Sequence, residues 1–192
     1  MKKTLLILTM LLLVSPKVDA CVGKLLNIGV INSSEGQLFA EMISALVNER
    51  TGTSVKVQLY KSAQDLYEAV RMKMVDISIE NTTRALHLLN KPVESDAKKA
   101  YEVVKAAYEK DRGLVWLKPF GLLNGNGGDP PSYTATILRV DILNNFPALP
   151  RVINKLGNTV PNDTYEKLIK SMQSGGKPKD VARDFLKSKK LI

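Results

Sequence analysis

The chain has one cysteine, one histidine and one tryptophan in 192 residues, and aromatic side chains make up only 6% of it. A single cysteine cannot close an internal disulfide or build a thiolate metal site. A single histidine excludes a His-cluster zinc centre and leaves little for a His-based triad. No cofactor motif is evident. What is present is ordinary for a folded domain. At 44% hydrophobic and 24% charged residues, the composition excludes wholesale disorder and a multi-pass membrane protein. The length allows one domain of ordinary size, or little more.

The longest apolar run lies at the start. Lys2 and Lys3 precede an apolar stretch at residues 5–14, and Val18-Asp19-Ala20 offers compact residues at the −3 and −1 positions. A membrane-spanning helix needs roughly 20 apolar residues, about twice this run, so residues 1–20 read as a secretory signal peptide. Cleavage would leave residues 21–192 as a single domain, periplasmic or otherwise exported. Cys21 would then be its first residue, the position at which a lipoprotein carries its anchor. That remainder holds 25 basic and 18 acidic residues. The lysines are spread over helix faces, and the dense run at 187–190 has no interleaved aromatics, so the charge does not point to nucleic acid. Attraction to an acidic membrane surface or an acidic protein remains open.

Periodicity gives an alternation of strands and helices. Residues 25–31 are a short apolar run suited to a buried strand. Ser34 and Gln37 have the spacing of a capping box for the helix that follows, which Gly52 would stop. Val55, Val57 and Leu59 alternate in a second strand ending at Tyr60, and Ser62 with Asp65 opens a second helix. Residues 75–79 form a third strand, with Asn81, Thr82 and Thr83 opening a helix. A further amphipathic helix runs from Ala97 to Gly113. Residues 114–117 and 133–140 complete five strands. Between the last two, residues 121–131 contain four glycines and two prolines in the part up to Pro131 and read as a surface loop. The remainder reads as helical, with Pro147 and Pro161 suited to first turns, Gly157 and Gly175-Gly176 as stops, and Pro178 starting the last helix.

Strand–helix units in this order predict an α/β fold, a mostly parallel five-stranded sheet flanked by helices, with extra C-terminal helices. Ligands of such sheets sit at the carboxyl ends of the strands, where strand order reverses. The candidate ligand-binding residues are therefore three strand ends: Asn32, Ser33, Ser34 and Glu35; Tyr60, Lys61 and Ser62; Glu80, Asn81, Thr82, Thr83 and Arg84. Each group opens a helix, and each residue taken alone is equally well a helix cap.

Several of these segments resemble the glycine betaine/choline/carnitine-type substrate-binding proteins of ABC importers. The resemblance lies in Asn27-Ile28-Gly29-Val30 with Glu35, in Ala40-Glu41 and in Glu49-Arg50-Thr51-Gly52. It continues in Tyr67-Glu68-Ala69-Val70, in residues 75–80, in Arg139-Val140-Asp141-Ile142-Leu143 with Pro147-Ala148-Leu149, and in residues 178–192. It implies a type II periplasmic-binding-protein-like fold, a small-molecule solute such as a quaternary ammonium osmoprotectant, and an ABC permease as partner. Members of the family hold their ligand between two lobes, and this chain is too short for two. The resemblance thus implies one lobe, with the Gly/Pro loop 120–132 in place of the second.

Two further expectations follow. A quaternary ammonium favours an aromatic cage, whereas Arg84 beside the site would repel it. Tyr60, Trp116 and Phe120 could supply rings, although Trp116 in an apolar strand suits the core. Nothing points to catalysis: Glu35 and Glu80 lack a nucleophile, His87 falls on an apolar helix face, and residues 125–128 lack the Gly-Lys-Ser/Thr ending of a phosphate loop. The alternative is a periplasmic interaction domain that uses one lobe to bind a protein partner or to homodimerise.

Overall fold

The computed structural model describes residues 25–125 and 128–192; the expected signal peptide and Cys21 lie outside them. In chain order the elements are β1 (Leu25–Ile31), α1 (Ser34–Thr51), β2 (Ser54–Tyr60), α2 (Ala63–Arg71), β3 (Ile77–Asn81), α3 (Thr82–Leu88), α4 (Ala97–Arg112), β4 (Leu114–Trp116), β5 (Gly121–Leu123) and β6 (Ser132–Arg139). Three helices follow: α5 (Leu149–Ile153), α6 (Asn162–Gln173) and α7 (Pro178–Ser188). Short 3-10 turns at Val140–Asn144 and Asn154–Leu156 link them. Among the described residues no helix is long and apolar enough to cross a membrane.

The sheet order is β2-β1-β3-β6-β4, with β5 also paired to β6. β1 runs parallel to β2 and β3, and β6 runs antiparallel to β3, β4 and β5. Among the described residues five strands therefore share one direction and β6 alone is reversed. The expected sheet is found as mostly parallel, with six strands where five were expected. The additional strand is β5, inside the segment read as irregular loop. β4 and β5 are two pieces of one edge interrupted at Lys118-Pro119. A proline cannot donate to the ladder, but Leu117 N–H and Phe120 N–H still reach Thr136 O and Thr134 O at 2.9 and 2.8 Å.

Side-chain alternation divides the core between the two faces of the sheet. Leu26, Ile28 and Val30 of β1 pack with Leu38, Phe39, Met42, Ile43 and Leu46 of α1, and with Ala182, Phe185 and Leu186 of α7. On the opposite face Leu66, Ala69 and Val70 of α2 join Val104 and Tyr108 of α4, with Trp116 and Ile137. Trp116 is thus a core residue. Gly29 lies beneath α2, where a Cβ would come within 2.7 Å of Leu66 and Val75; only glycine allows that approach. At the amino edge Arg139 is paired with Asp76 at 3.2 Å. Asp76 also accepts Asn27 N–H at 2.8 Å, tying β1, β3 and β6 together.

Helix ends follow the local rules with small shifts. Gly52 and Gly113 take left-handed conformations (φ 68° and 62°) after α1 and α4. The cap of α1 is Ser33 rather than Ser34: its hydroxyl accepts Gly36 N–H at 3.0 Å, and Gln37 reaches back to Asn32 Oδ1 at 3.0 Å. β3 begins at Ile77, two residues later than expected. Pro150, not Pro147, occupies the first turn of α5.

Candidate functional site

The strand order fixes where a ligand can lie. From β1 the chain crosses to β2 on one side, then returns over β1 to β3 on the other. The carboxyl ends of β1 and β3 thus flank the point where strand order reverses, which leaves a crevice between α1 and α3. A cavity of about 190 Å³ occupies this crevice. Drug-sized ligands fill roughly 300–1,000 Å³, so this volume suits a small solute.

Of the twelve candidate residues, Glu35, Asn81, Thr83 and Arg84 line the cavity. Glu35 lies in the first turn of α1, just past the Ser33 cap. Asn81 caps α3, its side chain accepting Arg84 N–H at 2.8 Å. Tyr60, Lys61 and Ser62 lie outside the cavity because β2 is the edge strand, one place beyond the reversal. Ser62 caps α2 by accepting Asp65 N–H at 3.1 Å, and Tyr60 donates its hydroxyl to Gln58 at 2.8 Å. Asn32, Ser33 and Ser34 are exposed at the start of α1 and also lie outside the cavity.

Glu80 and Thr82 are both 1% exposed and sit beneath the site. Thr82 accepts Tyr133 N–H at 3.2 Å. Glu80 accepts Asn81 N–H at 2.9 Å on one oxygen and the Tyr67 hydroxyl at 3.0 Å on the other. It also forms an ion pair with Arg84 Nε. Burial pushes the Glu80 carboxyl above the usual carboxylate range, opposed by Arg84, the Asn81 amide and Tyr67. Glu35 is likewise raised by desolvation, with Arg84 pulling the other way.

The remaining lining comes from elsewhere in the chain. His87 is one turn beyond Arg84 on α3, and Leu123, Asn124, Gly125 and Asp129 come from β5 and the loop that follows it. Because β6 is reversed, its first residues Ser132 and Thr134 stand at the carboxyl edge of the other strands. Tyr165 comes from α6, where its ring stacks on Phe39, with centroids 6.2 Å apart. Desolvation and the nearby Glu35 push the Tyr165 hydroxyl up to about 12, so it is a neutral donor at physiological pH. His87 could have been found from its i, i+3 spacing to Arg84. The others depend on long-range pairing that no local pattern carries. Among the described residues no cluster of three His, Cys, Asp or Glu could hold a metal ion.

One mixed α/β sheet with a polar cavity at its strand-order reversal defines a periplasmic-binding-protein-like lobe. The family model for the substrate-binding domain of ABC-type glycine betaine transport systems matches residues 24–127 and 122–188. The chain belongs to that family of substrate-binding domains. A crystal structure of a glycine betaine/carnitine/choline ABC transporter is similar at a TM-score of 0.77 and 14% identity, covering 86% of this chain and 99% of that one. Apo YehZ from Escherichia coli is similar at 0.76 and 14%, covering 87% and 99%. Lactococcal OpuAC, in a closed-liganded conformation with glycine betaine, gives 0.53 and 11%, covering 87% and 96%. At these identities the likeness establishes the fold. No curated protein matches the chain in sequence.

Proposed function

We propose that this chain is an exported solute-binding component of a glycine betaine-type ABC import system, and that it receives a small cationic or zwitterionic osmolyte with one lobe. The observation that carries this reading is the charge of the crevice. Glu35 and Asp129 line it, and Arg84, the one Arg among the described lining residues, is paired with the buried Glu80. That pairing answers the objection that Arg84 would repel a quaternary ammonium, since Glu80 offsets the guanidinium charge. Tyr165 is the only Phe, Tyr or Trp among the described lining residues. A cation–π contact with a single ring contributes about 0.5–1 kcal/mol at an exposed site, so the ammonium would depend largely on the carboxylates.

The single-lobe reading draws support from the place where the family match breaks. The two matched segments meet and overlap at residues 122–127, at the end of β5 and the start of the connection to β6. In this connection Gly125 and Asp129 come close: a Cβ on Gly125 would lie 2.1 Å from Asp129 O. With one lobe the ligand keeps about half the contacts of a closed cleft, so the affinity should be weak. A Kd near 1 mM corresponds to about −4 kcal/mol.

The test is a thermal-shift panel on the protein lacking residues 1–20, with glycine betaine, choline, carnitine and several anionic solutes. At ten times the Kd a ligand stabilises the fold by about 1.4 kcal/mol, or about 3–6 °C in a domain of this size. A shift with the cationic and zwitterionic solutes supports the reading; a shift confined to the anions overturns it. A second reading, docking to an acidic protein partner, draws on the charge distribution. Residues 25–150 carry 14 basic and 14 acidic side chains, whereas residues 151–192 carry ten basic and four acidic. An entirely flat thermal panel would direct attention there.

A further inference from the structure

We propose that Arg84 is a carboxylate-binding subsite of the crevice, and that Glu80, Tyr67 and Tyr108 are positioning residues that hold it in place from below. The inference rests on the solute-binding reading above and adds the chemistry that selects the solute.

A guanidinium has five N–H donors in a rigid fork. In Arg84, Nε is buried in ion-pair contact with Glu80 Oε1 but without hydrogen-bond geometry, and one Nη2 hydrogen points to Ile79 O at 3.3 Å. Among the described residues Nη1 has no protein partner, and the side chain keeps 33% of its surface exposed on the cavity wall. Asn81, Thr83, Ser132 and Thr134 bring further donors to the same wall. The free edge of the guanidinium with this group of hydroxyls and amides matches a carboxylate. Glu35 and Asp129 supply the opposite charge in the same cavity, so the ligand class is a small zwitterion bearing both a cation and a carboxylate.

Glu80 is itself held from beneath. Glu80 is fully enclosed, and its second oxygen accepts the Tyr67 hydroxyl. Since the Tyr67 proton goes to Glu80, the Tyr108 hydroxyl must donate to Tyr67, and the two oxygens are in close contact. The Arg112 guanidinium covers both rings, 5.5 Å from the Tyr67 centroid and 5.2 Å from that of Tyr108. A buried ion pair rarely adds net stability over an apolar pair of the same shape. Its effect here is positional: Glu80 fixes the inner edge of the guanidinium so that the outer edge faces the ligand.

Glycine betaine and choline separate this inference from the parent reading, because they share a trimethylammonium group and differ in carboxylate against hydroxyl. Calorimetric titration of the wild type should favour betaine over choline by about tenfold or more, the range of a hydrogen bond to a charged group. In Arg84→Met the ratio falls to about one. Arg84→Lys, which keeps the charge but not the fork, recovers part of it. Tyr67→Phe leaves the Glu80–Arg84 pair in place but removes its stay, and lowers the ratio by a few-fold. This variant carries the positioning claim if Glu80→Gln fails to fold. Equal loss of both ligands in Arg84→Met, or no betaine preference in the wild type, overturns the inference while leaving solute binding intact. An unchanged ratio in Tyr67→Phe overturns the positioning role. Failure of both ligands to bind the wild type removes the parent reading, and the inference with it.

Discussion

The Glu35 carboxyl faces the cavity from the first turn of α1, where desolvation raises its pKa and Arg84 offsets part of the rise. A carboxyl whose pKa is higher folded than unfolded favours the fold fully below its ordinary value of 4.5, and that contribution is lost as pH climbs through the raised value. Glu35→Gln should therefore raise the melting temperature at pH 7, with the difference shrinking to nothing below pH 4.5. Calorimetric scans of both proteins across that range would show it. The same substitution should weaken binding of a trimethylammonium ligand by about tenfold at neutral pH, since it removes the coulombic attraction of a carboxylate for a cation that has no N–H to donate. A variant that is more stable but binds less well identifies the carboxyl as serving the ligand rather than the fold. Glu35, Asn81, Thr83 and Arg84 could be placed at the cavity from the sequence because a helix that starts at a strand end brings part of its first turn over the crevice. Tyr60 and Lys61 obey the same local rule, yet lie away from the cavity because β2 turned out to be the edge.

At the level of elements, the site depends on how the second half of the chain is brought back. β1 through β3 could be read from apolar runs and caps, and the sequence also carries the helices after residue 145. Two features lay beyond it. The reversal of β6 leaves no local trace, since an antiparallel strand buried on both faces has the same apolar run as a parallel one. β5 was hidden by the density of glycine and proline around it. One of those glycines explains itself in the structure. A Cβ on Gly121 would fall 2.0 Å from Val160 O, at the point where Val160 N–H reaches Phe120 O at 3.0 Å. That contact docks the segment leading into α6 and sets the position of Tyr165. Gly121→Ala should force the two backbones apart at a cost of about 1–3 kcal/mol, read as a lower urea midpoint. Ligand affinity should fall with it as Tyr165 shifts. An alanine that leaves both unchanged would mean that this approach does not organise the site.

For the whole molecule, the resemblance correctly gave a member of the betaine-type family, and the fold is that of one periplasmic-binding-protein-like lobe. Its consequences are physical. A two-lobed protein traps its ligand by hinge closure, whereas the proposed single lobe would present an open crevice and rely on charge and on a few preset donors. The proposed complex is therefore one weakly held solute on one folded chain, at the reversal between β1 and β3. The most direct test is a titration of the isotopically labelled protein lacking residues 1–20 with glycine betaine, followed by amide chemical shifts, with rotational correlation time reporting its size. At about 10 mM, ten times the expected Kd, shifts should concentrate in the first turn of α1, in Asn81 to His87 and around Tyr165, on a particle of monomer size. Shifts spread over the outer face of α7, or none at all from a folded monomer, would contradict the account.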